Sequence, residues 1–163
     1  MKGPRIVKKK AIDTAKDSYL LGAAPQEEAV CKGCGAVWRG KRWTMEGEAA
    51  PPGIKAETVC PACRKTRDRF AEGFVTIQGA FTKSHKDEIL KLLHNKGERA
   101  RRINPLERIM EIKERNGAIE VSTTTDKLAQ RIGRMLHKSF NGEVEYKWSS
   151  GVKLARVVWT REE

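Results

Sequence analysis

The chain has 163 residues, 39% hydrophobic and 33% charged, and its 33 Lys and Arg against 21 Asp and Glu give a formal net charge of +12. This length suits one ordinary domain, or a small module plus a domain of about 90 residues. No apolar run approaches the roughly 18 residues that cross a membrane, and the basic N-terminus lacks the apolar stretch of a secretory signal. We therefore expect a cytoplasmic protein whose charge attracts polyanions, with nucleic acid the first candidate partner and an anionic membrane surface the second.

Composition divides the chain into three segments. Residues 1–29 are basic, hold few large apolar side chains and show no sustained periodicity, which predicts a flexible arm. Residues 30–72 hold all the cysteines around the Pro/Gly-rich stretch "GEAAPPG", and we interpret them as a metal-binding module with a central loop. Residues 73–163 carry the clear periodic elements and are predicted to form an α+β domain.

The periodic elements predict the order β-α-α-β-α-β-β after the module. Alternation in "GFVTIQGAF" predicts a strand, and a helix should follow from about residue 82 or 84 to about residue 96. In "NPLERIMEIKERNG", Asn104 as N-cap, Pro105 at the first helical position and Gly117 as a stop predict a second helix.

The remaining elements complete a mixed sheet with helices on one face. "AIEVSTT" is predicted as a strand, and "TTDKLAQRIGRMLHKSF" as an amphipathic helix capped by Thr124 or Thr125. "EVEYKW" and "VKLARVVWT" alternate on both sides of "SSGV" and predict a hairpin. The fold class expected from the whole pattern is α+β, with a zinc-ribbon-like module in front of the sheet.

The cysteines form two C-x2-C pairs, namely Cys31 and Cys34, then Cys60 and Cys63. Each pair can form a knuckle, and two knuckles can direct four thiolates at one tetrahedral Zn²⁺ at about 2.3 Å. Gly35 suits a tight knuckle because glycine adopts positive φ without strain. We therefore expect one structural zinc that substitutes for the core that such a small module lacks.

Iron and a redox role for the cysteines are the alternatives to zinc. "CKGCG…CPAC" also resembles the rubredoxin pattern, and tetrahedral sulfur suits either metal. Arg64, however, stands where rubredoxin-like proteins have a second glycine, and the chain is much longer than that electron carrier. A lone C-x2-C is typical of a redox dithiol, whereas two pairs separated by a loop are typical of a metal site.

Two basic surfaces are candidates for binding nucleic acid. Basic residues alternate with aromatic ones around the knuckles, and this mixture suits RNA because phosphates take the charge and unpaired bases stack on rings. The alternative for the two tryptophans is that they pack the core of the module. In the helix that begins near Thr125, four basic side chains recur at i, i+4, i+7 and i+11 and therefore share one face. This face can be interpreted as a phosphate-contacting surface or as an ordinary solvated surface. The candidate residues are Trp38, Arg39, Lys41, Arg42, Trp43, Arg64, Lys65, Arg67, Lys127, Arg131, Arg134 and Lys138.

Several stretches carry a resemblance to a known family: "CKGCGAVWRGKRW", "CPACRKTRDRFAEGFVTIQG" and the run from "NPLERIMEIKERNG" to "LARVVW". Over roughly residues 30–160 they resemble small bacterial zinc proteins with two CxxC pairs. Those proteins in turn are distantly similar to the zinc-containing region of the archaeal and eukaryotic large-ribosomal-subunit export adaptor. The chain has fewer CxxC pairs than the adaptor and lacks its further domains, so export activity is not implied. The resemblance implies a binder of the ribosome or ribosomal RNA, with the four cysteines as zinc ligands.

The sequence carries no motif of a known enzyme class. P-loop, G-x-G-x-x-G and G-x-S-x-G motifs are absent, and no histidine has the spacing of a metal ligand. We therefore expect a non-enzymatic RNA-binding protein that associates with ribosomal particles in assembly or quiescence, without a small-molecule substrate. A DNA-binding zinc-ribbon regulator is the alternative, and a rubredoxin-like iron protein is a weaker one.

Overall fold

The computed structural model describes residues 24–45, 52–149 and 151–163. Most of the predicted arm of residues 1–29 lies outside these ranges, and so does most of the "GEAAPPG" loop. The described residues form four helices and two mixed sheets, which confirms the α+β class. None of these helices has both the length and the apolar character needed to cross a membrane.

The first sheet surrounds the cysteines and consists of four three-residue strands. Its order is β3-β2-β1-β4, with β1 antiparallel to β2 and parallel to β4. A short helix follows directly, and the small core between them includes Cys31, Trp43 and Cys60. The elements are β1 (Ala29–Cys31), β2 (Val37–Arg39), β3 (Arg42–Thr44), β4 (Ala56–Thr58) and α1 (Pro61–Asp68).

The second sheet has five strands in the order β6-β7-β5-β9-β8, with β5 in the centre. Only the β5–β9 pair in this sheet is parallel, and β8 and β9 form the predicted hairpin. The elements are β5 (Gly73–Gln78), α2 (Ala80–Ser84), α3 (Lys86–Ile103), β6 (Ile109–Arg115), β7 (Ala118–Thr123), α4 (Asp126–Phe140), β8 (Glu143–Trp148) and β9 (Ala155–Thr160).

The main core lies between one face of the second sheet and helices α3 and α4. Strand side chains alternate between the core and solvent, and α4 contributes fully buried residues such as Leu128 and Ile132. The helix begins as predicted, because the Thr125 hydroxyl accepts a hydrogen bond from the Leu128 N–H at 3.2 Å. It lies close to the sheet because Gly133 has no side chain, and a Cβ there would come within 2.7 Å of Val157.

The helix predicted after Asn104 is wrong. Asn104 ends α3, which continues to Ile103, and residues 109–115 form the edge strand β6. Strand pairing and the turn at the end of the strand outweigh the helical pattern. β6 pairs antiparallel with β7, with one shift of register between Ile109 and Glu111, and Asn116 and Gly117 join the two strands with φ of 52° and 79°, as an Asn-Gly hairpin turn requires. The order after the module is therefore β-α-α-β-β-α-β-β.

Candidate metal centre and basic groove

The four cysteine sulfurs converge on one point. All four Sγ atoms lie within 4.8 Å of one another, and the Cys34 and Cys60 sulfurs are 3.7 Å apart. Ligands at about 2.3 Å from a tetrahedral metal are about 3.8 Å apart, so this spacing fits such a centre. None of the four is in a disulfide. The predicted grouping of the cysteines is confirmed.

Local backbone structure places each sulfur. The first knuckle closes when the Gly35 N–H donates to the Cys31 carbonyl at 2.8 Å, and Gly35 takes the expected positive φ, 79°. Cys60 caps the N-terminus of α1, and its sulfur accepts from the Cys63 N–H at 3.4 Å. Gly33 is needed for a different reason, because a Cβ there would lie 2.8 Å from the Cys63 sulfur.

An arginine from outside the module completes the site. Arg108, just before β6, donates from Nη2 to the Cys34 sulfur at 3.0 Å and to the Cys60 sulfur at 3.2 Å, and from Nη1 to the Cys63 sulfur at 3.2 Å. Four thiolates around a divalent cation leave about two uncompensated negative charges, and a guanidinium offsets one of them. No sequence pattern pointed to Arg108, because it is distant from the cysteines in the chain.

Two hydrogen bonds hold Arg108 in place. Its side-chain Nε donates to the Pro105 carbonyl at 2.8 Å, and its backbone N–H donates to the Thr124 hydroxyl at 2.9 Å. The Thr124 carbonyl in turn accepts from the Lys65 ammonium at 3.0 Å. Polar contacts therefore join the metal-binding module to the second sheet: Arg108 contacts the cysteine sulfurs, and Lys65 contacts the Thr124 carbonyl.

The pKa shifts at the site follow from its shared protons. Hydrogen bonds from Cys60 and Cys63 lower the pKa of Cys34 well below its usual range, and sharing a proton with Cys34 raises the pKa of Cys60. The pKa of Arg108 is raised: burial opposes the charge, but the hydrogen bond to Cys63 and the nearby sulfurs outweigh it. Four sulfurs within 4.8 Å of one another suit a cation that displaces the thiol protons.

The tryptophans of the module are packing residues to different degrees. Trp43 is only 8% exposed and belongs to the small core of the module. Trp38 is half-buried and packs against this core, and the ring centroids of Trp38 and Trp43 are 5.6 Å apart. The β2–β3 hairpin that carries them exposes the neighbouring cations Arg39, Lys41 and Arg42. The packing alternative is thus correct for Trp43, and Trp38 retains an accessible part.

Lys65 is not a surface residue, which corrects its predicted place in the nucleic-acid-binding set. It is 3% exposed and forms an ion pair of 2.9 Å with Glu72, which is equally buried. Helical spacing explains the difference, because Lys65 lies on the face of α1 that packs against the rest of the protein. Arg67, on the same helix, is exposed, and Arg64 is half-buried.

Helices α3 and α4 enclose a groove of about 740 Å³ whose lining is strongly basic. Three of the four cations predicted on α4 line it, whereas Lys127 does not. The opposite side comes from α3, which continues to Ile103 and not only to about residue 96 as predicted, so that Arg99 and Arg102 also lie on this helix. We call this the basic groove, lined by Leu92, Asn95, Lys96, Glu98, Arg99, Arg102, Arg131, Arg134, Met135 and Lys138.

The charges in the basic groove act on one another. Burial first, and then Arg131 and Arg99, lower the pKa of Lys96. Arg131 itself forms an ion pair with Glu107, a buried residue of the loop that carries Arg108. The groove is therefore an incompletely neutralised cationic site, of the kind that an added anion stabilises.

Fold and site together define an α+β protein with a four-cysteine metal-binding module. Comparison with protein-family models, with curated proteins and with solved structures finds no match for the chain.

Proposed function

We propose that this protein is a non-enzymatic RNA-binding protein that holds RNA phosphates in the basic groove. The observation that carries the proposal is the groove lining, with six Lys and Arg side chains and one acidic residue, Glu98. Clustered cations on one concave surface favour a polyanion. RNA is proposed over DNA because the accessible part of Trp38, beside Lys41 and Arg42, suits unpaired bases.

The metal of the four-cysteine site is, in this proposal, a single structural Zn²⁺. Four thiolates leave no open coordination position, so the metal would contribute stability rather than catalysis. The cysteines would be its ligands, and Arg108 would reduce the negative charge on three of the sulfurs. An iron centre would have the same geometry and would colour the purified protein, which distinguishes the two metals.

The direct test is a titration of the purified protein with a fluorescent hairpin RNA at several salt concentrations. The logarithm of the association constant should fall linearly with the logarithm of the salt concentration, because binding releases counterions from the phosphates. Arg134→Glu should weaken binding at least tenfold. Lys127→Glu, an equal charge change on the same helix but outside the groove, should have a much smaller effect.

The outcomes separate the alternatives. Tighter binding to duplex DNA than to RNA of the same length would favour the DNA-binding regulator. Equal losses for Arg134→Glu and Lys127→Glu would show that net charge, and not the groove, is responsible.

The partner that we propose is the ribosome or ribosomal RNA, a proposal that rests on the family resemblance. Lysate would be sedimented through a sucrose gradient at low and high salt, and each fraction would be probed for the protein. It should migrate with ribosomal particles at low salt and be released by Arg134→Glu. Failure to migrate with any ribosomal particle at either salt concentration would reject this partner but not RNA binding itself.

A further inference from the structure

A second cavity lies where the metal-binding module meets the C-terminal end of α3. It has a volume of about 510 Å³, within the range of about 300–1,000 Å³ that is typical of ligand sites. We call it the tryptophan cleft, lined by Ala24, Trp38, Lys41, Arg42, Trp43, Thr44, Pro61, Ile103, Asn104 and Leu106.

The chemistry of the tryptophan cleft combines aromatic, apolar and cationic groups. The two tryptophans provide ring surface, and Ile103, which is 78% exposed, adds an apolar side chain that the protein leaves in solvent. Lys41 and Arg42 supply positive charge, and none of the described residues that line the cleft is acidic. A flat aromatic ring attached to a phosphate matches all three properties.

The tryptophan cleft lies next to the basic groove. Arg102 lines the groove and the adjacent Ile103 lines the cleft, both at the end of α3. The loop after α3 also borders both sites, since Leu106 lines the cleft and Glu107 pairs with Arg131 of the groove. A strand of RNA that leaves the groove at this end would therefore meet the cleft.

We propose that the tryptophan cleft binds an unpaired nucleobase of the RNA whose phosphates occupy the basic groove. This inference rests on the proposed function and extends it, because the preferred ligand becomes a structured RNA with a single-stranded extension. Stacking on the accessible part of Trp38 would hold the base, and Arg42 would contact the adjacent phosphate. The site tolerates any base, since every base offers a ring face.

The test compares three fluorescent RNAs in the same anisotropy titration. All contain one hairpin; the first has a short uridine extension, the second has the same extension with abasic nucleotides, and the third is blunt. Wild-type protein should bind the uridine extension roughly tenfold more tightly than the abasic one, as expected for stacking of one base. Trp38→Leu, which keeps an apolar side chain for packing, should remove this difference by lowering the affinity for the uridine extension to that for the abasic one.

Two further variants distinguish the loss of base binding from a folding defect. Trp148→Leu, a half-buried tryptophan of β8 outside the cleft, is the matched control and should keep the tenfold preference. Arg42→Gln, at an exposed residue, should lower the affinity for both extended RNAs relative to the blunt hairpin, because both extensions keep the phosphate, and it should not disturb the module core.

The failure of this inference can be told apart from the failure of the proposed function. Equal affinity of wild-type protein for the uridine and abasic extensions, as expected if another protein segment fills the cleft, would overturn the cleft proposal while RNA binding stands. An undiminished preference in Trp38→Leu would do the same. Absence of binding to all three RNAs would overturn the groove proposal and the cleft proposal with it.

Discussion

Replacing Arg108 with glutamine should weaken metal binding, although residue 108 is not a ligand. The guanidinium donates to three cysteine sulfurs at 3.0–3.2 Å. Each hydrogen bond to a charged group contributes about 1.5–3 kcal/mol in the folded protein. Water can replace part of this at a half-buried site, so the net loss should fall in the range seen for other outer-shell partners, about 10- to 100-fold in affinity. That corresponds to about 1.4–2.8 kcal/mol.

The assay is competition for Zn²⁺ between the protein and a chromophoric chelator at fixed pH. Arg115→Gln, at the exposed far end of β6, is the matched control and should bind the metal as the wild type does. Arg108→Lys should show an intermediate loss, because an ammonium keeps the charge but not the fork of donors. Unchanged affinity in Arg108→Gln, within a factor of two, would refute the reasoning that these contacts stabilise the thiolates.

Three other perturbations have defined outcomes. Lys65→Met should lower the free energy of unfolding in urea by about 3–5 kcal/mol, because it removes the ammonium that pairs with the buried Glu72 carboxylate. Adding Glu72→Gln should restore much of the loss, and no recovery would contradict this. Gly33→Ala should weaken Zn²⁺ binding through the clash at the Cys63 sulfur, whereas Gly97→Ala in α3 should not, and equal affinities would contradict the clash. Because the pKa of Lys96 is lowered in the free protein, RNA binding above that pKa must take up a proton, so affinity should fall as pH rises through the alkaline range. Lys96→Arg should bind RNA with little change over the same range, and an identical pH profile in both proteins would rule out Lys96 as the cause.

The features that the sequence predicted well are those encoded within a few residues. Each C-x2-C pair shapes its own knuckle, and the cap at Thr125 depends on the next turn of α4. The alternation in β5, β8 and β9 also appears directly in the sequence, because one face of each strand is buried.

The features that were missed depend on contacts between distant segments. The stretch after Asn104 carries helix-like capping residues, but pairing with β7 and the turn at Asn116 and Gly117 make it a strand. The Asn-Gly pair was the available signal, since it is typical of a two-residue hairpin turn. Arg108 had no such signal, because its approach to the sulfurs depends on how the module packs against the second sheet.

The basic groove illustrates both cases. The periodic cations on α4 were visible in the sequence, and three of the four line the groove. The contribution of Arg99 and Arg102 was not visible in the sequence, because their helix was predicted to end before them. Only the packing of α3 beside α4 turns two charged helix faces into one concave site.

The most direct test of RNA binding through the groove is ultraviolet crosslinking of RNA to the protein in intact cells, followed by mass spectrometry of the crosslinked peptides. We expect the adducts to lie on peptides from α3 and α4 that include Arg99, Arg102 or Arg134, and to be lost in Arg134→Glu. Absence of crosslinked RNA, or adducts confined to other parts of the chain, would contradict the central claim.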